Sequence, residues 1–203
     1  MSYVFKSMIF AVGILCLSGF APASSAEPPA VPTALIREHV SVLRDIFSAR
    51  VITMSVEAQN DRRQGMTEEQ IVDLDNTWRE ETKAEDQPLI AATLISPAST
   101  LLTQVQARSG GLYNALFVMD RYGLNVGQSV PTSDYWQGDE EKFQKTYQVG
   151  PDAVFIDAPE YDDGLKTWIV QVSMTLVHDG QSIGSATVDI IIQELQRRAA
   201  AGL

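Results

Sequence analysis

The chain has 203 residues, with 26 Asp and Glu against 15 Lys and Arg, a formal net charge of −11 and a single cysteine, Cys16. That balance excludes the basic footprint of a nucleic-acid-binding protein and disfavours adhesion to anionic membrane surfaces. One cysteine leaves no pair for a disulfide or a thiolate cluster.

The first segment is not part of the fold. Lys6 precedes an apolar run from Met8 to Leu17, and Ala21-Pro-Ala-Ser-Ser-Ala26 follows with small residues at Ser24 and Ala26. This is the pattern of a cleaved secretory signal peptide over residues 1–26. The run is short of the roughly 20 residues that cross a bilayer, although an uncleaved anchor is the alternative. Leu15, ahead of Cys16, argues against lipidation. Cleavage predicts a periplasmic protein without Cys16 or Lys6, so 15 basic residues less one, 14, face 26 acidic ones. With no second apolar run of membrane length, a sensed signal is expected to pass onward by contact with another protein.

Residues 27–112 read as a helical region. After Pro28, Pro29 and Pro32, a stripe of Ile36, Val40, Leu43, Phe47, Val51 and Met54 at spacings of three and four predicts one long helix from Thr33 to Ala58. Such a helix is roughly 37 Å long, suited to a scaffold packed along the domain or to a homodimer with its copy. Thr67-Glu-Glu-Gln70 is a capping box opening a second helix, with Trp78 as its docking residue. Residues 88–95 fit a helical turn or a short strand, ended by Pro97. Ser99 or Thr100 then starts a helix closed by Gly110-Gly111.

Residues 113–195 read as five strands. The apolar runs are 116–119, 124–126, 153–156, 168–177 and 183–192, with turns at Asp120-Arg-Tyr-Gly123 and His178-Asp-Gly180. Trp168, Val170, Val172, Met174 and Leu176 share one face of the fourth strand; Ile183, Ser185, Thr187, Asp189 and Ile191 share one face of the fifth. Asp189 on an inward face needs a partner or a ligand. Residues 196–203 are left as a C-terminal tail. The fold class is α+β: a long helix packed on an antiparallel five-stranded sheet.

Most chemistries are not supported. His39 and His178 lack partners at zinc spacing, no nucleophile-elbow motif accompanies them, and no phosphate-cradling glycine loop appears. The many carboxylate pairs follow from an acidic composition. Neither an enzyme, a cofactor nor a metal is expected. What remains is Thr132-Ser-Asp-Tyr-Trp-Gln-Gly-Asp139 between the second and third strands, followed by a short helix over 140–147. Large amphipathic rings among polar side chains suit a pocket wall; Tyr135 and Trp136 equally suit an anchor of helix on sheet.

The long N-terminal helix, the Asp-Arg-Tyr-Gly turn, the Thr-x-Asp-Tyr-Trp-Gln-Gly-Asp connection and the three later strands together resemble a single Cache domain, the extracytoplasmic PAS-like (PDC) sensor family. The resemblance covers Thr33 to Leu195. It implies a sheet that holds a ligand between its concave face and the connecting segments, with a membrane receptor or kinase as partner. It nominates Asp134, Tyr135, Trp136, Asp139, Lys145 and Tyr161, and behind them Arg121 and Asp189, as residues for a small polar molecule: an amino acid, an amine or a carboxylate. The other reading is a ligand-free interaction module that docks a membrane protein.

Overall fold

A computed structural model describes residues 28–203; the expected signal peptide lies outside the described residues. The order is α1 Thr33–Phe47, α2 Arg50–Arg62, α3 Glu68–Glu81, α4 Pro88–Leu94, α5 Pro97–Arg108, β1 Tyr113–Met119, β2 Asn125–Gln128, α6 Glu141–Gln144, β3 Val154–Asp162, β4 Thr167–His178, β5 Gln181–Ile191 and α7 Ile192–Ala201. The fold is α+β, as expected. All strand pairs are antiparallel, in the order β2-β1-β5-β4-β3.

The expected single helix from Thr33 to Ala58 is two. Ala49 takes an extended conformation, φ −53° and ψ 132°, and Ser48 Oγ turns back to donate to the Asp45 carbonyl at 3.1 Å. Serine competes locally for backbone partners and so favours such an interruption. The break changes which face α2 buries. Ile36, Leu43 and Phe47 of α1 lie in the core as the stripe predicts, but α2 continues with Ile52 and Val56. Val51 is only half-buried, and Met54 is 53% exposed. Met54, the end of the predicted stripe, has rotated out of the core, and Val51 packs only at its margin.

The Thr67 capping box forms, Gln70 N donating to Thr67 Oγ1 at 3.3 Å and Thr67 N to Gln70 Oε1 at 3.0 Å. Residues 88–94, ambiguous in sequence, are helical. Pro97 opens α5 at its first turn, where a missing N–H costs nothing, and Ser96 caps it by accepting from Ser99 N at 3.1 Å. The tail expected over 196–203 is instead the body of α7, which runs to Ala201 and stops at Gly202 in the left-handed region, φ 69°.

One face of the sheet, carrying Leu116, Val118, Val172, Met174, Val188 and Ile190, packs on α1, α2 and α5 to make the main core. A second apolar cluster joins α3 and α4 to the β2–β3 connection through Trp78, Ile90, Leu124 and Tyr135. The far face is more polar. It carries Phe117 and Met119 beside Ser173, Thr175, Ser185, Thr187 and Asp189, and α6 with the turn after it covers part of it: Phe143 of α6 joins Phe117 and Met119, and Thr146 Oγ1 of the turn meets Ser185 Oγ at 2.7 Å.

The register of β4 on β5 changes along its length. Near the turn His178 pairs with Gln181 and Val177 with Ser182; from Leu176 onward the partners are Gly184, Ser185 and Ala186, leaving Ile183 as the extra residue. This bulge sets the polar residues of both strands opposite one another, Gln171 against Asp189 and Ser173 against Thr187. Gly184 lies where a Cβ would overlap the Met119 carbonyl oxygen, so the strand junction there requires glycine.

Candidate functional site

The β2–β3 connection has almost no backbone ladder of its own beyond one bridge, Leu124 to Trp136. Side chains of α3 hold it instead. Asp75 Oδ1 accepts from both Tyr135 N at 2.8 Å and Trp136 N at 3.0 Å. Its other oxygen accepts from Arg79 Nε at 2.7 Å, and Arg79 Nη2 reaches Asp134 Oδ2 at 3.2 Å. Trp78 donates to the Thr132 carbonyl at 3.0 Å and stacks on Tyr135 with ring centroids 5.1 Å apart. Trp136 Nε1 donates to the Tyr122 carbonyl at 2.9 Å, and its ring lies over Gly138 too closely for a Cβ there, while a Cβ on Gly123 would run into the Gly138 backbone.

Held in this way, the connection closes a cavity of 240 Å³ against the far face of the sheet. Its charged walls are Asp134 of the connection, Lys142 of α6 and Asp189 of β5; the amides of Asn114, Gln137 and Gln171 stand between them. Gln171 Nε2 donates to Asp189 Oδ1 at 3.0 Å. Burial pushes the Asp189 carboxyl up to about 6, against the opposing pull of the Gln171 hydrogen bond and of Lys142. Lys142 Nζ lies 5.5 Å from the centre of the Phe117 ring, donates to Gln137 Oε1 at 3.2 Å and pairs with Glu140 at 2.8 Å. Gln137 also donates to Asp134. Next to the lining residue Thr132, Asn125 Oδ1 and Gln128 Nε2 are buried without a hydrogen-bond partner, an arrangement that costs about 1–3 kcal/mol for each group left unpaired.

Of the residues nominated from sequence, Asp134 and Asp189 meet at this cavity. Tyr135 faces the other way, into a groove beside α2 and against Trp78. Trp136 is half-buried over Gly138 and the 120–123 turn. Asp139 is exposed, its carbonyl accepting from Gln144 at 2.8 Å. Lys145 is on the outer side of α6, paired with Glu141 at 2.7 Å and lying over the Phe155 ring. Tyr161 is 40% exposed on the edge strand against Trp168. Arg121 is exposed on its turn, with only its backbone N–H held, by Asn60 Oδ1 at 2.9 Å. Lys142, Gln171 and Asn114 line the cavity and carried no signal in sequence that set them apart. Among the described residues no group of three His, Cys, Asp or Glu is placed to hold a metal ion, and no single helix is long and apolar enough to cross a membrane.

The helices laid along one face and the five-stranded antiparallel sheet with its long β2–β3 connection are what the Cache resemblance implies. The chain has an α+β architecture with a five-stranded antiparallel sheet. No protein-family model matches it, and no curated protein does. Among solved structures it is similar to the ligand-binding domain of the Pseudomonas aeruginosa amino acid chemoreceptor PctC in complex with GABA, at 18% identity and a TM-score of 0.40 over 71% of this chain and 60% of that one. It is also similar to the sensory domain of the Campylobacter jejuni chemoreceptor Tlp3 with isoleucine bound, at 16% identity and a TM-score of 0.39 over 83% and 65%. A third is the sensor domain of the V. cholerae histidine kinase DctB, at 16% identity and a TM-score of 0.37 over 81% and 59%. The chain spans less than two thirds of the length of each of these domains.

Proposed function

We propose that the protein is an exported, non-enzymatic sensing module that binds a small zwitterion, an amino acid or a close analogue, in the cavity between the far face of the sheet and the β2–β3 connection. The observation that carries this reading is the pairing of charges in one small space. Asp134 and Asp189 suit an ammonium group and Lys142 a carboxylate, with neutral amides between them. A volume of 240 Å³ is below the range of about 300–1,000 Å³ typical of drug-sized ligands, so the molecule is small. Partner contact, through a membrane receptor or kinase or a second copy of the chain, would use α1, whose outer surface carries Val42 at 45% exposure.

The test is thermal denaturation of the full chain against a panel of amino acids, amines and carboxylates. A true ligand at 100 times its Kd adds about 2.7 kcal/mol of stability, and Asp189→Asn should abolish that gain while leaving the protein folded. No shift across the panel would refute ligand binding at this cavity and favour the ligand-free docking module. Export is checked separately by the mass of the secreted protein, which should begin at Glu27.

A further inference from the structure

The break between α1 and α2 leaves Met54 and Ala58 exposed, and together with the half-buried Val51 they line a long groove. This groove, 690 Å³, runs between α2 on one side and α4 with the start of α5 on the other, on the helical side of the sheet and apart from the Asp134–Asp189 cavity. Val51, Met54 and Ala58 face it from α2; Leu89, Ala92 and Pro97 face them. From Val51 to Arg62 the helix rises roughly 16 Å, so the space is elongated.

Its charges are all of one sign. Arg50 stands at one end and Arg62 and Arg63 at the other, and no Asp or Glu is among the lining residues, although acidic residues outnumber basic ones 26 to 15 in the chain. Arg63 is fixed by donating to the Tyr135 hydroxyl at 2.7 Å and by Asp120 at 3.6 Å. Arg50 and Arg62 make no ion pair among the described residues. A water-exposed apolar channel ending in an unneutralised guanidinium matches a molecule with an apolar tail and one anionic head.

We infer that this groove is a second binding site, for an unbranched aliphatic monocarboxylate, with its head at Arg62 and its tail along Met54 and Val51. The inference does not depend on the zwitterion reading. The geometry makes affinity rise with tail length, because each methylene removed from the ligand weakens binding about fourfold, the equivalent of about 0.8 kcal/mol per buried CH₂. It also makes the head group decisive, because nothing in the lining compensates a cation.

Isothermal titration of the full chain with decanoate, octanoate and decyltrimethylammonium tests it. Decanoate should bind at one per chain, octanoate about 16-fold more weakly, and the cation not at all. Arg62→Ala should weaken decanoate about tenfold, and Ala92→Trp, at an exposed position in the groove wall, should abolish binding with circular dichroism unchanged. Ala58→Trp is the replacement should the first variant unfold. Asp189→Asn, in the other cavity, should leave decanoate affinity unchanged, which separates this site from the zwitterion site. Absence of decanoate binding, equal binding of the cation, or undiminished binding in folded Ala92→Trp or Ala58→Trp would overturn the inference.

Discussion

Asp75→Ala should destabilise the protein by about 3–4 kcal/mol, mostly through two backbone amides. Asp75 is 8% exposed and accepts from Tyr135 N at 2.8 Å and Trp136 N at 3.0 Å. Alanine leaves both without an acceptor in a site too buried for free exchange with water, at about 1–3 kcal/mol each. The lost ion pair adds little, because the Arg79 side chain is 51% exposed and solvent screens it. Against a total of about 5–15 kcal/mol the loss is large. Urea denaturation followed by circular dichroism measures it as a lower midpoint at unchanged slope. Asp75→Asn keeps an oxygen where Oδ1 stands and should cost only about 1–2 kcal/mol, the charge-assisted part of the two bonds. A loss below about 1 kcal/mol in Asp75→Ala, or equal losses in the two variants, would refute the claim that this one oxygen holds the connection.

Asp189 supplies a pH signature. Burial raises its carboxyl from 3.8 to about 6, so the native state binds more protons than the unfolded chain between those values, and stability falls as pH rises through the window. Asp189→Asn should flatten that slope and gain up to roughly 3 kcal/mol on the parent at pH 7; denaturant midpoints from pH 4 to 7 check it. Lys142→Gln should weaken zwitterion binding by about tenfold or more while Lys145→Gln leaves it within about twofold, read by calorimetry. Gly184→Ala forces a methyl group onto the Met119 carbonyl and should cost about 3 kcal/mol in a urea titration. Trp78→Ala should cost about 4 kcal/mol by the same measurement, since the ring is wholly buried against Tyr135.

The strands were legible because their turns announce themselves. Gly123 and Gly180 both sit at positive φ, 82° and 75°, and Asp120 Oδ1 closes its turn by accepting from Tyr122 N and Leu124 N at 2.9 and 3.0 Å. The Thr67 capping box was legible for the same local reason. The break at Ser48–Ala49 was not, because a stripe with helical spacing continues across it and only tertiary packing decides that Ile52 and not Val51 turns inward. Asp189 could be flagged as an odd charge on its strand, but its partner could not. Counting back from His178↔Gln181 without a shift sets Gln171 against Val188, and only the extra Ile183 brings it opposite Asp189. Lys142 and Lys145 are three residues apart on a single helical turn, and which of them meets the sheet depends on how Phe143 docks against Phe117 and Met119. Tyr135 and Trp136 were picked out by their size and polarity, which do not encode the direction in which an irregular segment presents them.

Asp134 and Tyr135 are joined by one peptide bond, yet one lines the small polar cavity and the other the apolar groove. One stretch of chain thus borders both spaces, pinned from α3 and tied to the sheet by a single bridge, Leu124 to Trp136. Wherever filling one space displaces that stretch, the free energies of the two binding events cease to be separable, and the factor by which the first molecule alters the affinity of the second must equal the factor in the reverse order. Effector and signal then become interchangeable titles: an acyl acid that tightened the hold on an amino acid would itself be held more firmly wherever that amino acid was abundant.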